Sequence, residues 1–262
     1  MLITKMQGLG NDYLYVYGEP KNPCELSVKL SDRHFGIGSD GMIWISPSET
    51  ADFRMRIFNA DGSEAKMCGN GIRCVGKYVY DKGYTDKTEL KIETESGIKI
   101  LNLKTEGGKV KTVSVDMGET VVENPVHAGV QGKTITFRPV SVGNPHAVIF
   151  VDDIEKVDVA STGKAVENLP LFPDGVNVEF VEVISEKKLR MRVWERGSGI
   201  TLACGTGACA SVAAAVKSGL CPKDEAVCVE LDGGCLSVTQ LDNSHALMEG
   251  PAEFVFECEV SE

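Results

Sequence analysis

The chain reads as an α+β protein built from two pseudo-symmetric domains, each a curved, mostly antiparallel sheet wrapped around one central helix. Three observations predict this. The chain repeats itself once, strand-like alternation dominates each copy, and each copy holds one long helical pattern directly after a Cys-Gly-x-Gly stretch.

The repeat is clearest in two segments. Residues 54–74 read "RMRIFNADGSEAKMCGNGIRC" and residues 190–210 read "RMRVWERGSGITLACGTGACA", which align without a gap at an offset of 136. Arg54, Met55, Arg56, Cys68, Gly69 and Gly71 recur as Arg190, Met191, Arg192, Cys204, Gly205 and Gly207. Further pairs keep the same order: Gly10-Asn11 with Gly143-Asn144, Asp40-Gly41 with Asp174-Gly175, and "LKIETESG" (90–97) with "VCVELDGG" (227–234). Domains over 1–117 and 118–250 follow. The tail 251–262 alternates Phe254, Phe256, Cys258 and Val260, and is expected to return as a strand to the N-terminal half.

Within the first half Leu90, Ile92 and Thr94 alternate with charged residues. Glu106-Gly107-Gly108-Lys109 marks a hairpin turn, and Val113, Val115 and Met117 alternate again. Val227, Val229 and Leu231 followed by Asp232-Gly233-Gly234 repeat the pattern. The helical stretches "GIRCVGKYVYDKG" and "GACASVAAAVKSG" end at Gly83 and Gly219, each suited to a C-terminal cap. From Ala208 to Val216 there is no charged residue, so the second helix is expected to be buried.

Bulk properties exclude several classes. Apolar content of 42% and charged content of 25% are those of a soluble globular protein, and the net charge of −11 disfavours nucleic acid as a partner. No apolar run reaches the ~18 residues of a membrane span, and the N-terminal residues lack a leader's apolar core, so a cytoplasmic protein off the membrane is expected. Nine cysteines, an odd number in a chain of this length, read as reduced thiols.

Cys68 and Cys204 both fall at a helix start, where backbone N–H groups lack partners and the helix dipole presents positive charge. A thiol there is expected to ionise more readily than free cysteine, and the adjacent N–H groups suit a carboxylate. If the two halves face each other, both thiols reach one cleft, which is where the active site is expected. Two neighbouring thiolates repel, so the pair should share one proton. A base on one face and an acid on the other can invert a carbon bearing an acidic hydrogen, which is two-base racemisation or epimerisation of an amino acid. No lysine motif or metal-ligand spacing points to a cofactor or a metal. Cys74, Cys209, Cys221, Cys228, Cys235 and Cys258 have no glycine context and read as fillers of core or surface.

The segments "GLGNDY" (8–13), "DRHFGIGSDG" (32–41), "FNADGSEAKMCGNGIRC" (58–74), "VGNPHAV" (142–148), "GVNVEFV" (175–181) and "VWERGSGITLACGTGACA" (193–210) together resemble the diaminopimelate epimerase family from end to end. That resemblance implies a PLP-independent enzyme interconverting LL- and meso-diaminopimelate, on the route to lysine and cell-wall peptide, with Cys68 and Cys204 as acid/base thiols. It implies that Gly69-Asn70 and Gly205-Thr206 hold the carboxylate of the reacting centre. Asn11, Asn59, Asn144, Asn177, Glu195 and Arg196 stand where the family binds the substrate's remaining groups. His146, in the Gly-Asn-Pro-His motif, is a candidate for lining the site. A homodimer is implied as well. Many family members carry glutamine where this chain has Gly41, so that contact is expected to be missing. Two alternatives stand beside this reading: a proline or hydroxyproline racemase, which would have no use for Asn177, Glu195 and Arg196, and a non-catalytic thiol redox or amino-acid-binding protein.

Overall fold

The computed structural model describes residues 1–19 and 21–260; residues 261–262 of the C-terminal segment lie outside them. The chain divides into two compact units, Met1–Val115 together with the segment from Gly250 onward, and Asp116–Glu249.

The first unit runs β1 (Leu2–Gly8), β2 (Asn11–Tyr17), α1 (Pro23–Ser31), β3 (Gly41–Pro47), β4 (Phe53–Asn59), β5 (Glu64–Ala65), α2 (Gly69–Asp81), β6 (Glu89–Thr94), β7 (Gly97–Glu106) and β8 (Lys109–Glu119). The second continues with β9 (Val121–Val122), β10 (Val126–Val130), β11 (Lys133–Ser141), β12 (Pro145–Val151), α3 (Val159–Glu167), β13 (Asn177–Ser185), β14 (Lys188–Glu195), β15 (Gly199–Thr201), α4 (Gly205–Lys217), β16 (Ala226–Leu231), β17 (Gly234–Gln240) and β18 (His245–Pro251). Strand β19 (Glu253–Glu259) pairs antiparallel with β1.

The repeat predicted from sequence is a repeat of pairing. In the first unit β1–β2 is antiparallel, β2–β3 parallel, β3–β4 antiparallel, β4–β6 parallel, and β6–β7 and β7–β8 antiparallel. The second unit gives the same series over β11–β12, β12–β13, β13–β14, β14–β16, β16–β17 and β17–β18. The α+β class expected from sequence holds, with one addition. Parallel neighbours need a crossover, and each unit uses two: the long helix α2 or α4, and the nine-residue helix α1 or α3. Only the long ones were legible in the sequence.

The paired helices explain the burial. In the first unit Leu14, Val16, Met42, Trp44 and Phe58 pack with Leu30 of α1. The residues of opposite parity face α2, as Ile43 and Met55 do where they close around Gly71. In the second unit Val178 and Phe180 join Val159 and Val166 of α3 in one core cluster. Alternation turns Glu179 and Val181 toward α4 instead. Strands covered on both faces read as nearly continuous apolar runs, which is why "DYLYVY" and "GMIWIS" show no period-2 signal.

Both long helices end as expected. Gly83 (φ 77°) donates its N–H to Tyr80 O and Tyr84 N–H bonds Val79 O; Gly219 (φ 71°) and Leu220 repeat this on Val216 and Ala215. The uncharged stretch of α4 is buried from Ala208 to Ala215. The tail forms its strand, but Phe254, Val255 and Phe256 are exposed. One cysteine expectation fails: Cys228 and Cys235, read as isolated fillers, are joined by a disulfide. In the β16–β17 register Cys228 opposes Ser237 and Cys235 opposes Glu230, so the two sit diagonally on one face of the hairpin. The other seven cysteines form no disulfide.

Candidate active site

Each unit carries one thiol at a helix N-cap. Cys68 (φ −140°) caps α2 and its Sγ accepts from Gly71 N–H at 3.3 Å; Cys204 (φ −118°) caps α4 and accepts from Gly207 N–H at 3.3 Å. The sulfur takes the place usually held by a serine or aspartate oxygen and satisfies one orphan donor of the first turn. Gly69 and Gly205 follow as the first helical residues, and Asn70 and Thr206 come next.

In the first unit the Cys68 thiol donates to Asn11 Oδ1 at 3.3 Å. Asn11 is itself fixed, its Nδ2 donating to Asp40 Oδ2 at 2.7 Å. Arg33 holds Asp40 at 2.9 Å and Asp12 at 2.7 Å, and Lys5 reaches Asp12 at 2.8 Å. The amide of Asn11 is thereby oriented by an ion-pair network two residues beyond the thiol. Asn59, at the end of β4, donates through Nδ2 to Ser63 Oγ at 3.0 Å. Gly41 leaves no room for a glutamine in this backbone: a Cβ at that position would lie 2.2 Å from Phe58 O.

In the second unit Thr206 Oγ1 lies 3.5 Å from Cys204 Sγ and accepts from Asn144 Nδ2 at 3.4 Å. Asn177 accepts from the Arg196 backbone N–H at 2.9 Å and donates to Pro145 O at 3.3 Å. Glu195 accepts from Thr201 Oγ1. The exposed Arg196 guanidinium donates to Asp174 O at 3.2 Å. Glu167 of α3 braces this turn, its two oxygens accepting from Trp194 Nε1 at 2.7 Å and Gly197 N–H at 3.2 Å. His146 is fully buried; Nδ1 lies 2.7 Å from Glu179 Oε1 and Nε2 lies 3.1 Å from Asn144 Oδ1.

The structure therefore gathers Asn11 with Cys68 in one unit, and Asn144, His146 and Thr206 with Cys204 in the other. Asp40, Glu167 and Glu179 were not singled out in the sequence. A signal for Glu179 was present, a lone acid in the apolar run "GVNVEFV", whereas Glu167 on a short unrecognised helix gave none.

One electrostatic expectation is reversed. Burial pushes the Cys204 thiol well above its ordinary range, and the carboxylates Glu195 and Glu179 push it further, outweighing the Thr206 and Gly207 hydrogen bonds that favour the thiolate. The protein alone thus holds Cys204 protonated at neutral pH. Iodoacetamide should label the exposed Cys24 and the half-buried Cys68 well before Cys204, whose rate should climb as pH rises into the alkaline range. Peptide mass mapping reads the order, and prompt neutral-pH labelling of Cys204 would contradict it. No group of three or more His, Cys, Asp or Glu side chains among the described residues is arranged to hold a metal ion.

Among solved structures the fold is shared with a phenazine biosynthesis protein of the PhzF family from Bacillus anthracis (TM-score 0.80, 17% identity, 100% of this chain and 99% of that one). It is shared too with a probable proline racemase from Agrobacterium radiobacter (TM-score 0.76, 18% identity, 99% and 92%). At such identities the likeness is one of fold. In this chain the doubled fold places a thiol at the cap of the corresponding helix in each unit. The diaminopimelate epimerase family model matches residues 3–123 and 139–255. The chain is 51% identical to a diaminopimelate epimerase of Acetivibrio thermocellus over 99% of this chain and 98% of that one. It is 52% identical to one of Phocaeicola vulgatus over 98% and 97%. The chain belongs to the diaminopimelate epimerase family.

Proposed function

We infer that this protein interconverts LL- and meso-diaminopimelate by two-base proton transfer at the α-carbon. The observation that carries the reading is the recurrence of an N-cap thiol in both units of a chain that belongs to this family. Cys68 and Cys204 are the acid and the base. In the reactive form the pair shares one proton: the thiolate removes the α-proton from one face and the other thiol delivers its proton to the opposite face. Reversibility gives each thiol the base role in one direction. Gly69-Asn70 and Gly205-Thr206 receive the carboxylate of the reacting centre, where helix-start N–H groups stabilise the charge that develops on it. Asn11, Asn59, Asn144, Asn177, Glu195 and Arg196 take up the substrate's remaining polar groups, and His146 stands behind Asn144.

The protein is placed in the cytoplasm, a reading supported by seven cysteines that form no disulfide, two of which the chemistry needs reduced. No helix among the described residues is long and apolar enough to cross a membrane. A homodimer is proposed on the family resemblance, with the exposed Phe254, Val255 and Phe256 offering apolar surface for it.

The test uses fully reduced protein in D₂O with LL-diaminopimelate and, separately, L-proline. NMR should show the α-proton of diaminopimelate exchanging and meso product accumulating, while proline is untouched. Exchange of proline alone would move the protein to the racemase side of the fold. No exchange with either would remove the two-base reading for these substrates.

A further inference from the structure

Asp40 of the first unit makes contacts that the two-thiol reaction leaves unused. Its backbone is fixed, the N–H donating to Asp12 O at 2.8 Å and the carbonyl accepting from Ala60 N–H at 3.0 Å. Among the described residues its side chain is met by donors: Asn11 Nδ2 at 2.7 Å and Asp12 N–H at 3.1 Å on Oδ2, and Arg33 Nη2 at 2.9 Å on Oδ1. A carboxylate faced in this way, with a guanidinium among its donors, is an anion that only accepts. That fixes the amide of Asn11. With its NH₂ tied to the carboxylate, Oδ1 points the other way, and it lies 3.3 Å from Cys68 Sγ, which donates to it. Turning the amide over would set Oδ1 against Asp40, two acceptors with no proton between them.

The orientation bears on the proton of Cys68. A carbonyl oxygen beside the sulfur accepts the S–H and opposes a thiolate, whereas an amide NH₂ in the same place would do the reverse. Asn11 therefore offsets Gly71 N–H, which donates to the sulfur at 3.3 Å and favours ionisation. The other titratable groups about Cys68 are Tyr13 and Tyr15 of β2 and Cys74 of α2. Burial raises all three, Cys74 to about 11 and both phenols well above their usual range, so none of them carries charge at neutral pH. Arg73 of α2 adds a positive charge one turn from the cap, donating to Gly69 O at 3.2 Å. Beyond Asn11 the charges of Asp12, Lys5, Arg33 and Asp40 are paired with one another.

We propose that Asp40 is a positioning residue for the reaction: its carboxylate keeps Asn11 Oδ1 turned to the Cys68 sulfur, so that the thiol is favoured over the thiolate in the free enzyme. Each thiol must deliver a proton in one direction of the reaction, and each unit has a means of keeping that proton in place. In the second unit Glu195 and Glu179 oppose ionisation of Cys204 directly, by their charge. In the first, a carboxylate does so through an amide. Asp174, which the internal repeat pairs with Asp40, has a different task, its backbone carbonyl taking the Arg196 guanidinium at 3.2 Å. The proposal rests on the reading of Cys68 as an acid/base thiol.

The experiment is the pH profile of Cys68 alkylation by iodoacetamide in the whole protein, read by peptide mass mapping with the exposed Cys24 as reference. The proteins are wild type, Asp40→Ala, Asp40→Asn and Asn11→Ala. Asparagine at 40 loses the charge but keeps a carbonyl oxygen for Asn11 Nδ2 and Asp12 N–H, while Arg33 retains its bonds to Asp12. Alanine loses both, and the Asn11 amide can then turn its NH₂ to the sulfur. The Asp40→Ala midpoint should lie about one pH unit below that of Asp40→Asn, or roughly tenfold faster alkylation at a pH below both, the worth of one hydrogen bond. Adding Asn11→Ala to both should close the gap. Equal midpoints in the two Asp40 variants overturn the proposal, as does a gap that survives the loss of Asn11. Asn11→Ala alone should move the midpoint down from wild type. An upward move would mean that NH₂ faces the sulfur, and overturns the proposal even where Asp40→Ala fails to fold. Alkylation needs no substrate, so these outcomes stand apart from the acid/base reading of Cys68. On that reading kcat/KM for diaminopimelate should fall roughly tenfold further in Asp40→Ala than in Asp40→Asn, and equal values would overturn the role in the reaction.

Discussion

Replacing Cys68 or Cys204 by serine should lower epimerisation by roughly 10²–10⁴-fold while leaving the melting temperature almost unchanged. The two effects separate because each sulfur has two jobs on the proposed two-base reading. As a cap it accepts from Gly71 or Gly207 N–H at 3.3 Å, a task that serine performs at least as well. As an acid or base it must gain and lose a proton, which a hydroxyl does not do near neutral pH. Alanine would remove both functions, costing about 1 kcal/mol at the helix start besides the activity, so serine is the cleaner substitution. Isotope exchange adds detail. A variant with one thiol can still remove the α-proton from the epimer that thiol faces and return deuterium to the same side. Cys68→Ser and Cys204→Ser should therefore wash out the α-proton of opposite epimers without inverting either. Full epimerase activity in either serine variant would end the two-base account; exchange of both epimers by one variant would show that a single group reaches both faces.

The sequence displayed the two capped helices well because the signals were local and doubled. A cysteine flanked by helix-start glycines at one end and Gly83 or Gly219 at the other brackets each helix, and the second copy confirms the first. What it hid depended on distance along the chain. Helices α1 and α3 are nine residues each, too short for a convincing period, and exist because two strand pairs are parallel. Parallel pairing is a property of the sheet and leaves no mark in any one strand. The Cys228–Cys235 disulfide follows from a hairpin register that composition does not reveal. The thiol at Cys204 was misjudged for a similar reason. Its helix start was visible and favours ionisation, but burial and the carboxylates of Glu195 and Glu179, which are brought in by β14 and β13, act the other way. Local sequence gave the cap, and tertiary packing decided the charge.

The other large effect is expected at Arg196, where the units stop being alike. Asn59 of the first unit aligns with Glu195, and Ala60 with Arg196, so a guanidinium stands on one side of the pseudo-symmetric pair and a methyl group on the other. A reaction that inverts one carbon needs matching thiols but a substrate held one way round, and a charged group present in only one unit provides the difference. The protein has arranged that group with care. The backbone N–H of Arg196 is held by Asn177 at 2.9 Å, its side chain donates to Asp174 O at 3.2 Å, and Glu167 pins the turn through Trp194 and Gly197. Arg196→Met keeps the aliphatic stem and removes the fork that would grip a distal carboxylate. The expected loss in kcat/KM for diaminopimelate is about 2.7 kcal/mol, a factor of roughly a hundred. Part of that loss should fall on kcat, because binding energy from the remote end of a substrate is what aligns the reacting end. An open-chain amino acid without a distal carboxylate, unlike the ring of proline, should show slow α-proton exchange that is equal in wild type and Arg196→Met. A variant that loses activity on both compounds alike would mean that Arg196 supports the fold of its turn. Undiminished kcat/KM for diaminopimelate would mean that the distal carboxylate is held elsewhere.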